Sequence, residues 1–267
     1  MQRILYITQE LTPYLPESSM SATCRVLAPG AQESGNDVRI FMPRYGCIRE
    51  RNNQLHEVIR LSGMHLTIDD IDYPIIIKVA PLPGAKVQVY FIEGEEFTAN
   101  RAPYCFEDGS NYTTHDHRSV FFVRGALETI KKLRWTPDIV HCHGWLSALA
   151  TVYLRDEYIG TSNYPESKIV YSLYNDPLNI DLGNELTKKT ITESVSEESL
   201  KTIRESQTTQ SVQKLAIDKS DALIIGEEAI DPVLMSYAEA SGKPIFAYKS
   251  QTDSDYMQAI NQFYSTL

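Results

Sequence analysis

Cysteine is scarce in this chain: Cys24, Cys47, Cys105 and Cys142 are the only four, and no two form a Cys-x-x-Cys pair. That spacing excludes a disulfide-stapled scaffold and a cysteine knuckle. It suits a reduced compartment in which each thiol is a small core residue. No apolar run approaches the roughly 20 residues needed to span a bilayer. The opening Met-Gln-Arg-Ile-Leu-Tyr-Ile is too short and too soon charged for a signal peptide. A cytoplasmic location with no membrane partner is therefore expected. Basic residues are outnumbered, with 25 Lys and Arg against 35 Asp and Glu and a net charge of −10. Phosphate backbones require clustered positive charge, so nucleic acid is excluded as a partner. No G-x-G-x-x-G follows the first apolar run and no serine sits in G-x-S-x-G, so neither NAD binding nor a hydrolase triad has support. No cofactor is implied. Internal repeats and low-complexity tracts are also absent.

What is present is an alternation. Arg3-Ile-Leu-Tyr-Ile-Thr8 reads as a buried central strand, a helix is expected over about 21–33, and a second strand over 38–42 is closed by Pro43. Pro29 and Gly30 weaken the middle of that helix. Three strand-like runs at 56–61, 75–79 and 87–92 read as a largely antiparallel patch, followed by a polar, aromatic loop over 93–118. Val120, Val123, Leu127 and Ile130 form one helical stripe in 120–133. A strand ending at His143, a helix over 146–158 and a strand over 168–174 come next. Ser194 with Glu197 reads as a capping box for a helix reaching about 217. Strands at 221–225 and 244–248, a short helix opened by Asp231-Pro232 and a terminal helix complete the series. The fold class is α/β, a single Rossmann-like parallel sheet of six strands with helices on both faces plus the antiparallel patch at about 56–92. With no long linker, residues 1–267 are expected to form one domain.

The focus of the chain is Pro137-Asp-Ile-Val-His-Cys-His-Gly-Trp145, a strand that ends on two histidines and a glycine. In open α/β sheets ligands bind beyond the carboxyl ends of the strands. This segment resembles the PDVVHxHDW motif of bacterial glycogen and starch synthases. Glu10-Leu-Thr-Pro-Tyr14, Gly35-Asn-Asp-Val-Arg39 with Met42-Pro-Arg-Tyr45, and Arg118 with Phe121-Phe122 and Ala126-Leu-Glu128 resemble other segments of the same family in the same order. Ser172-Leu-Tyr-Asn175 stands where the family has TIHN, and Ser220-Asp-Ala-Leu-Ile-Ile-Gly226 where it has ADxVxTVS. The resemblance covers most of residues 1–230. It implies the N-terminal half of a retaining glycosyltransferase of the two-domain GT-B fold, which transfers glucose from a nucleotide sugar of the ADP-glucose type to an α-glucan.

The resemblance names site residues and marks departures. It implies His143 as the catalytic-site histidine and His141, Trp145, Arg118, Asn175 and Tyr174 as substrate-binding positions. The family's Lys-x-Gly-Gly-Leu loop, whose lysine and glycines approach the donor diphosphate and glucose, is replaced by Pro16-Glu17-Ser18-Ser19-Met20. The lysine is gone, the glycines are serines and a carboxylate is added. The family's HxHDW aspartate is Gly144, and its TIHN histidine is Tyr174. The second domain, which holds most donor contacts in the family, has no counterpart in these residues. Catalysis by this polypeptide alone is therefore not expected.

Two functional readings follow. One is a degenerate or partner-dependent glucosyltransferase half, with a partner chain supplying the donor domain. The other is a non-catalytic module that binds glucan or protein in glycogen metabolism. A minor alternative joins His141-x-His143 to His115-x-His117 as a zinc site. Ser18, Ser19 and Ser21 read as helix caps before they read as a phosphate cradle. Tyr104, Phe106 and Tyr112 stack on sugar rings in one reading and pack their own loop in the other. Sixteen tyrosines suit a sugar-binding surface, though core packing also explains them. Homodimerisation is expected if the donor-facing side is apolar.

Overall fold

Strand β1 (Arg3–Thr8) lies mid-sheet because its apolar run leaves no polar face for water: Ile4 to Thr8 are all buried. The coordinates are a computed structural model, which describes residues 1–99, 102–106, 108–176 and 180–267. Among the described residues nine further strands follow: β2 (Asp37–Pro43), β3 (His56–Glu57), β4 (Met64–Ile68), β5 (Ile71–Pro81), β6 (Gln88–Glu93), β7 (Ile139–His143), β8 (Lys168–Leu173), β9 (Ala222–Ile225) and β10 (Ile245–Phe246). The sheet order is β10-β9-β8-β7-β1-β2-β6-β5-β3, with β4 paired to the outer half of β5. The helices are α1 (Ser19–Glu33), α2 (Glu50–Asn53), α3 (Glu95–Thr98), α4 (His115–Leu133), α5 (Leu149–Tyr153), α6 (Leu186–Thr190), α7 (Lys201–Arg204), α8 (Thr209–Lys219), α9 (Pro232–Ala240) and α10 (Tyr256–Ser265). One layer pairs α1 with α10, and the other runs α4, α5, α8. Right-handed crossovers put them on opposite faces.

From β1 the chain steps outward to β2 in one direction. From β7 it steps to β8 and β9 in the other. The switch point thus lies between β1 and β7, where Thr8 stands beside His143 in parallel register. That is where a doubly wound sheet opens its crevice.

Several expectations are corrected. Strand β6 pairs in parallel with β2 and antiparallel with β5, so the parallel part has seven strands rather than six. The apolar run at 56–61 is strand only at His56–Glu57, because the chain turns at Val58–Leu61. Strand β4 went unread; it forms a hairpin with β5 through Asp69 and Asp70, both at positive φ (49° and 61°). Helix α1 runs unbroken through Pro29, held by buried Leu27, Ala28 and Ala31. The helix expected from Ser194 is interrupted, because Gln207 and Thr209 pair their backbones with Leu182 and Ile180. Its capping box is Thr208 with Ser211, at the start of α8. The loop expected to run to 118 ends at His115, where α4 begins four residues deep in the interior.

Candidate functional site

Parallel register sets the side chains of β1, β7 and β8 in rows, so Tyr6, His141 and Val170 share one face, as do Thr8, His143 and Ser172. The two histidines project together, with ring centroids 3.9 Å apart. Both are 0% exposed, which decides what they can touch. His141 has both nitrogens engaged: Nδ1 with the Tyr264 hydroxyl at 2.6 Å and Nε2 with Ser172 Oγ at 2.7 Å. Burial, with His143 beside it, holds its pKa well below the usual imidazole range and keeps the ring neutral. His143 shares Nδ1 with the Tyr174 hydroxyl at 3.0 Å, while its buried Nε2 has no hydrogen-bond partner. Burial lowers its pKa to about 3.

Tyr174 lies against Gly226, where a Cβ would come 2.5 Å from Tyr174 Cε1. Its hydroxyl plugs the space beside His143. Beyond β7 the chain turns at Gly144, with φ 80° and ψ 165°, a region open almost only to glycine. The Gln9 carboxamide closes directly on this residue, and Met20 Cε would lie 2.7 Å from a Cβ there. Gln9 Oε1 accepts the Leu146 N–H at 3.0 Å, and Asp176 Oδ2 accepts the Trp145 N–H at 3.3 Å. Two side chains from neighbouring strands thus cap the turn that Gly144 cannot cap itself.

Trp145 is buried, edge-on to His115 at 5.1 Å and 6.2 Å from Tyr104. Arg118, also buried, donates Nη2 to the Pro103 carbonyl at 2.7 Å and lies 4.7 Å from the Phe97 ring and 4.8 Å from that of Tyr112. It pins the loop beneath it. Asn175 is exposed, and its backbone N–H donates to Glu227 at 3.1 Å. Pro16, Glu17 and Ser19 are exposed. Ser18 caps α1, its Oγ accepting the Ser21 N–H at 3.1 Å while Ser21 Oγ accepts the Ser18 N–H at 2.8 Å. The Ser18 hydroxyl also donates to the Glu10 carboxylate, and Tyr104 donates to the same group at 2.9 Å. The start of α1 is therefore attended by the chain's own carboxylate.

The zinc reading is not brought together. His117 Nε2 pairs with Glu96 at 3.0 Å, His115 packs on Trp145, and both His141 nitrogens are in use. Among the described residues no group of three or more His, Cys, Asp or Glu side chains is placed to hold a metal ion. Phe106 and Tyr112 pack on each other at 4.6 Å, so that pair serves its own loop.

Sequence reading missed Gln9 and Asp176. Asp176 follows β8 as Glu10 follows β1, and burial together with the charges of Glu10 and Glu227 raises its pKa to about 7. Position alone was the available signal: both residues fall just beyond strand ends flanking the switch point.

Residues 3–228 match the family model of the starch synthase catalytic domain. The chain belongs to that family. Among curated starch-synthase-family relatives, glycogen synthase of Chlorobium limicola is 31% identical over 174 residues, and that of Chlorobaculum tepidum 32% over 176. Each alignment covers 65% of this chain and 36% of the relative, so the match spans about a third of the relatives' length. The catalytic domain of starch synthase IV from Arabidopsis thaliana, solved bound to ADP and acarbose, superposes with a TM-score of 0.73 at 18% identity. It covers 93% of this chain and 51% of that one, a likeness of fold. This starch synthase catalytic-type domain has no helix among its described residues long and apolar enough to cross a membrane.

Proposed function

We propose that this chain is a glycosyltransferase-type domain that binds α-glucan and does not transfer glucose by itself. The observation that carries the reading is the occupation of the strand-end crevice by the chain's own groups. Gln9 and Met20 close on Gly144, and the Tyr174 hydroxyl sits on His143. Both histidines are sealed and neutral, so neither meets a sugar in this conformation.

Charge supports the same reading. A nucleotide sugar carries a diphosphate, which is stabilised by cations and bare backbone N–H groups. Here Glu10 lies just beyond β1 and accepts from the Ser18 hydroxyl, Glu17 is on the loop, and Ser18 takes up the Ser21 N–H in the first turn of α1. Carboxylates repel a diphosphate yet accept hydrogen bonds from sugar hydroxyls. A neutral acceptor fits this edge of the sheet and an anionic donor does not.

The test is direct. The purified chain is incubated with labelled ADP-glucose and glycogen, and calorimetry is run with maltoheptaose and with ADP. Binding of maltoheptaose without ADP binding or turnover is expected. Incorporation of glucose clearly above background would overturn the reading.

A further inference from the structure

Away from the crevice, on the same edge of the sheet, a groove of about 470 Å³ opens between the β4–β5 hairpin, α3, the first turn of α4 and α6. That volume lies in the range of roughly 300–1,000 Å³ typical of small-molecule sites. The first turn of α4 faces two ways. His115 packs on Trp145 beside the crevice, while His117 lines the groove. We infer that this groove is the seat of the α-glucan, with Tyr73 and Ile71 as its apolar platform and Glu96, His117 and Lys189 as its hydroxyl-binding wall. The inference deepens the proposed glucan-binding function and rests on it.

The charge pattern selects the ligand. Lys188 Nζ pairs with Asp69 at 2.8 Å, Lys189 Nζ with Asp116 at 2.7 Å, and His117 Nε2 with Glu96 at 3.0 Å. Both lysines are thus held by carboxylates of the protein, and the Glu96 carboxylate is engaged by the His117 ring. Among the described residues lining the groove, Glu95 is the one acidic or basic side chain with no side-chain partner, and it is exposed, where water screens it. A phosphate meets Glu95 and Glu96 and finds each nearby cation already engaged. An amine finds Glu95 on the screened rim and Glu96 already hydrogen-bonded to His117. An uncharged ligand rich in hydroxyls takes hydrogen bonds from both signs without breaking a pair.

The wall and platform are pre-set. Tyr73 is half-buried, with its ring centroid 4.3 Å from that of His117, and the Glu96 carboxylate holds the imidazole from the other side. Glu96 Oε2 is buried beside Gly94 and the Phe121 ring, which fixes the carboxylate that holds His117. Ile71 is 55% exposed at the rim, an apolar surface for the C–H face of a sugar ring. These side chains sit on a hairpin and a helix turn, so little ordering is needed on binding.

Maltoheptaose titrated into the full chain and its variants tests the assignment. Ile71→Asp alters an exposed side chain and leaves the fold intact; with Tyr73→Ala it is expected to weaken binding by about tenfold or more. Tyr73→Phe retains the ring and is expected to bind like the parent. If the parent binds and Ile71→Asp and Tyr73→Ala bind as tightly, the groove is not the seat, and the glucan-binding function stands without it. If the parent itself does not bind maltoheptaose, the function and the inference fall together.

Discussion

The Gln9 side chain does for Gly144 what a side chain on residue 144 would otherwise do. Its Oε1 accepts the Leu146 N–H at 3.0 Å, and its carboxamide fills the space where a Cβ at 144 would be. Gly144 sits at φ 80°. The glycine and the glutamine therefore form one unit. A cap of the turn after β7 comes from the residue that follows β1.

Restoring the family's aspartate should be costly. Gly144→Asp adds backbone strain and a collision with Gln9, and a loss of about 3 kcal/mol in urea unfolding is expected from strain and overpacking together. The double variant Gln9→Ser with Gly144→Asp should be more stable than the sum of its single changes, because the collision is relieved. Strict additivity would show that the two positions are independent.

Acid should destabilise this fold earlier than the carboxylates alone require. His115, His141 and His143 are buried with lowered pKa values, to about 4 for His115 and about 3 for His143. Their unfolded values lie near 6.5. Between about pH 6.5 and pH 4 the unfolded chain binds more protons at these sites, so stability falls as pH falls. Asp176 opposes this, since its raised pKa of about 7 makes the native state the stronger proton binder there. One carboxyl against three imidazoles leaves the balance with the histidines. The melting temperature is expected to drop steadily from pH 7 to 4.5 and the slope to shrink in His143→Asn. A flat profile would contradict the buried neutral histidines.

The last helix reaches β7 through the Tyr264 hydroxyl. Tyr264 of α10 meets His141 Nδ1 at 2.6 Å in a fully buried setting. Tyr264→Phe leaves that nitrogen unpaired and is expected to cost about 1–3 kcal/mol. Tyr256→Phe, which alters the same helix without touching His141, is the comparison. Equal losses in the two variants would remove the special role of the Tyr264 contact.

The Asp116–Lys189 pair ties α4 to α6 at 2.7 Å, with the Asp116 side chain 4% exposed. Lys189→Met strands a buried carboxylate, and a loss of about 3 kcal/mol is expected. Asp116→Asn added to it removes the charge and should recover part of that loss. A double variant less stable than Lys189→Met would mean that the carboxylate is held by other groups.

Much of the fold was legible in the residues. Continuous apolar runs mark β1, β7 and β8 as buried strands, and the order of motifs around Pro137 to Trp145 marks the family. The hairpin of β4 with β5 was less so. Its turn is Asp69-Asp70, two left-handed residues without glycine, and its strand alternates too weakly to announce itself. The break between α7 and α8 was illegible for another reason: it comes from backbone pairing with residues 180 and 182, distant in sequence.

The same division holds at the histidines. Local pattern alone determined that His141 and His143 end a central strand and share a face, because alternation along a strand is a property of the backbone. Whether those rings meet solvent depends on side chains arriving from elsewhere. Gln9 comes from just beyond β1, Met20 from α1, Tyr174 from beyond β8 and Tyr264 from α10. Burial is set by which segments converge in space, and it is burial that holds these imidazoles neutral and out of reach.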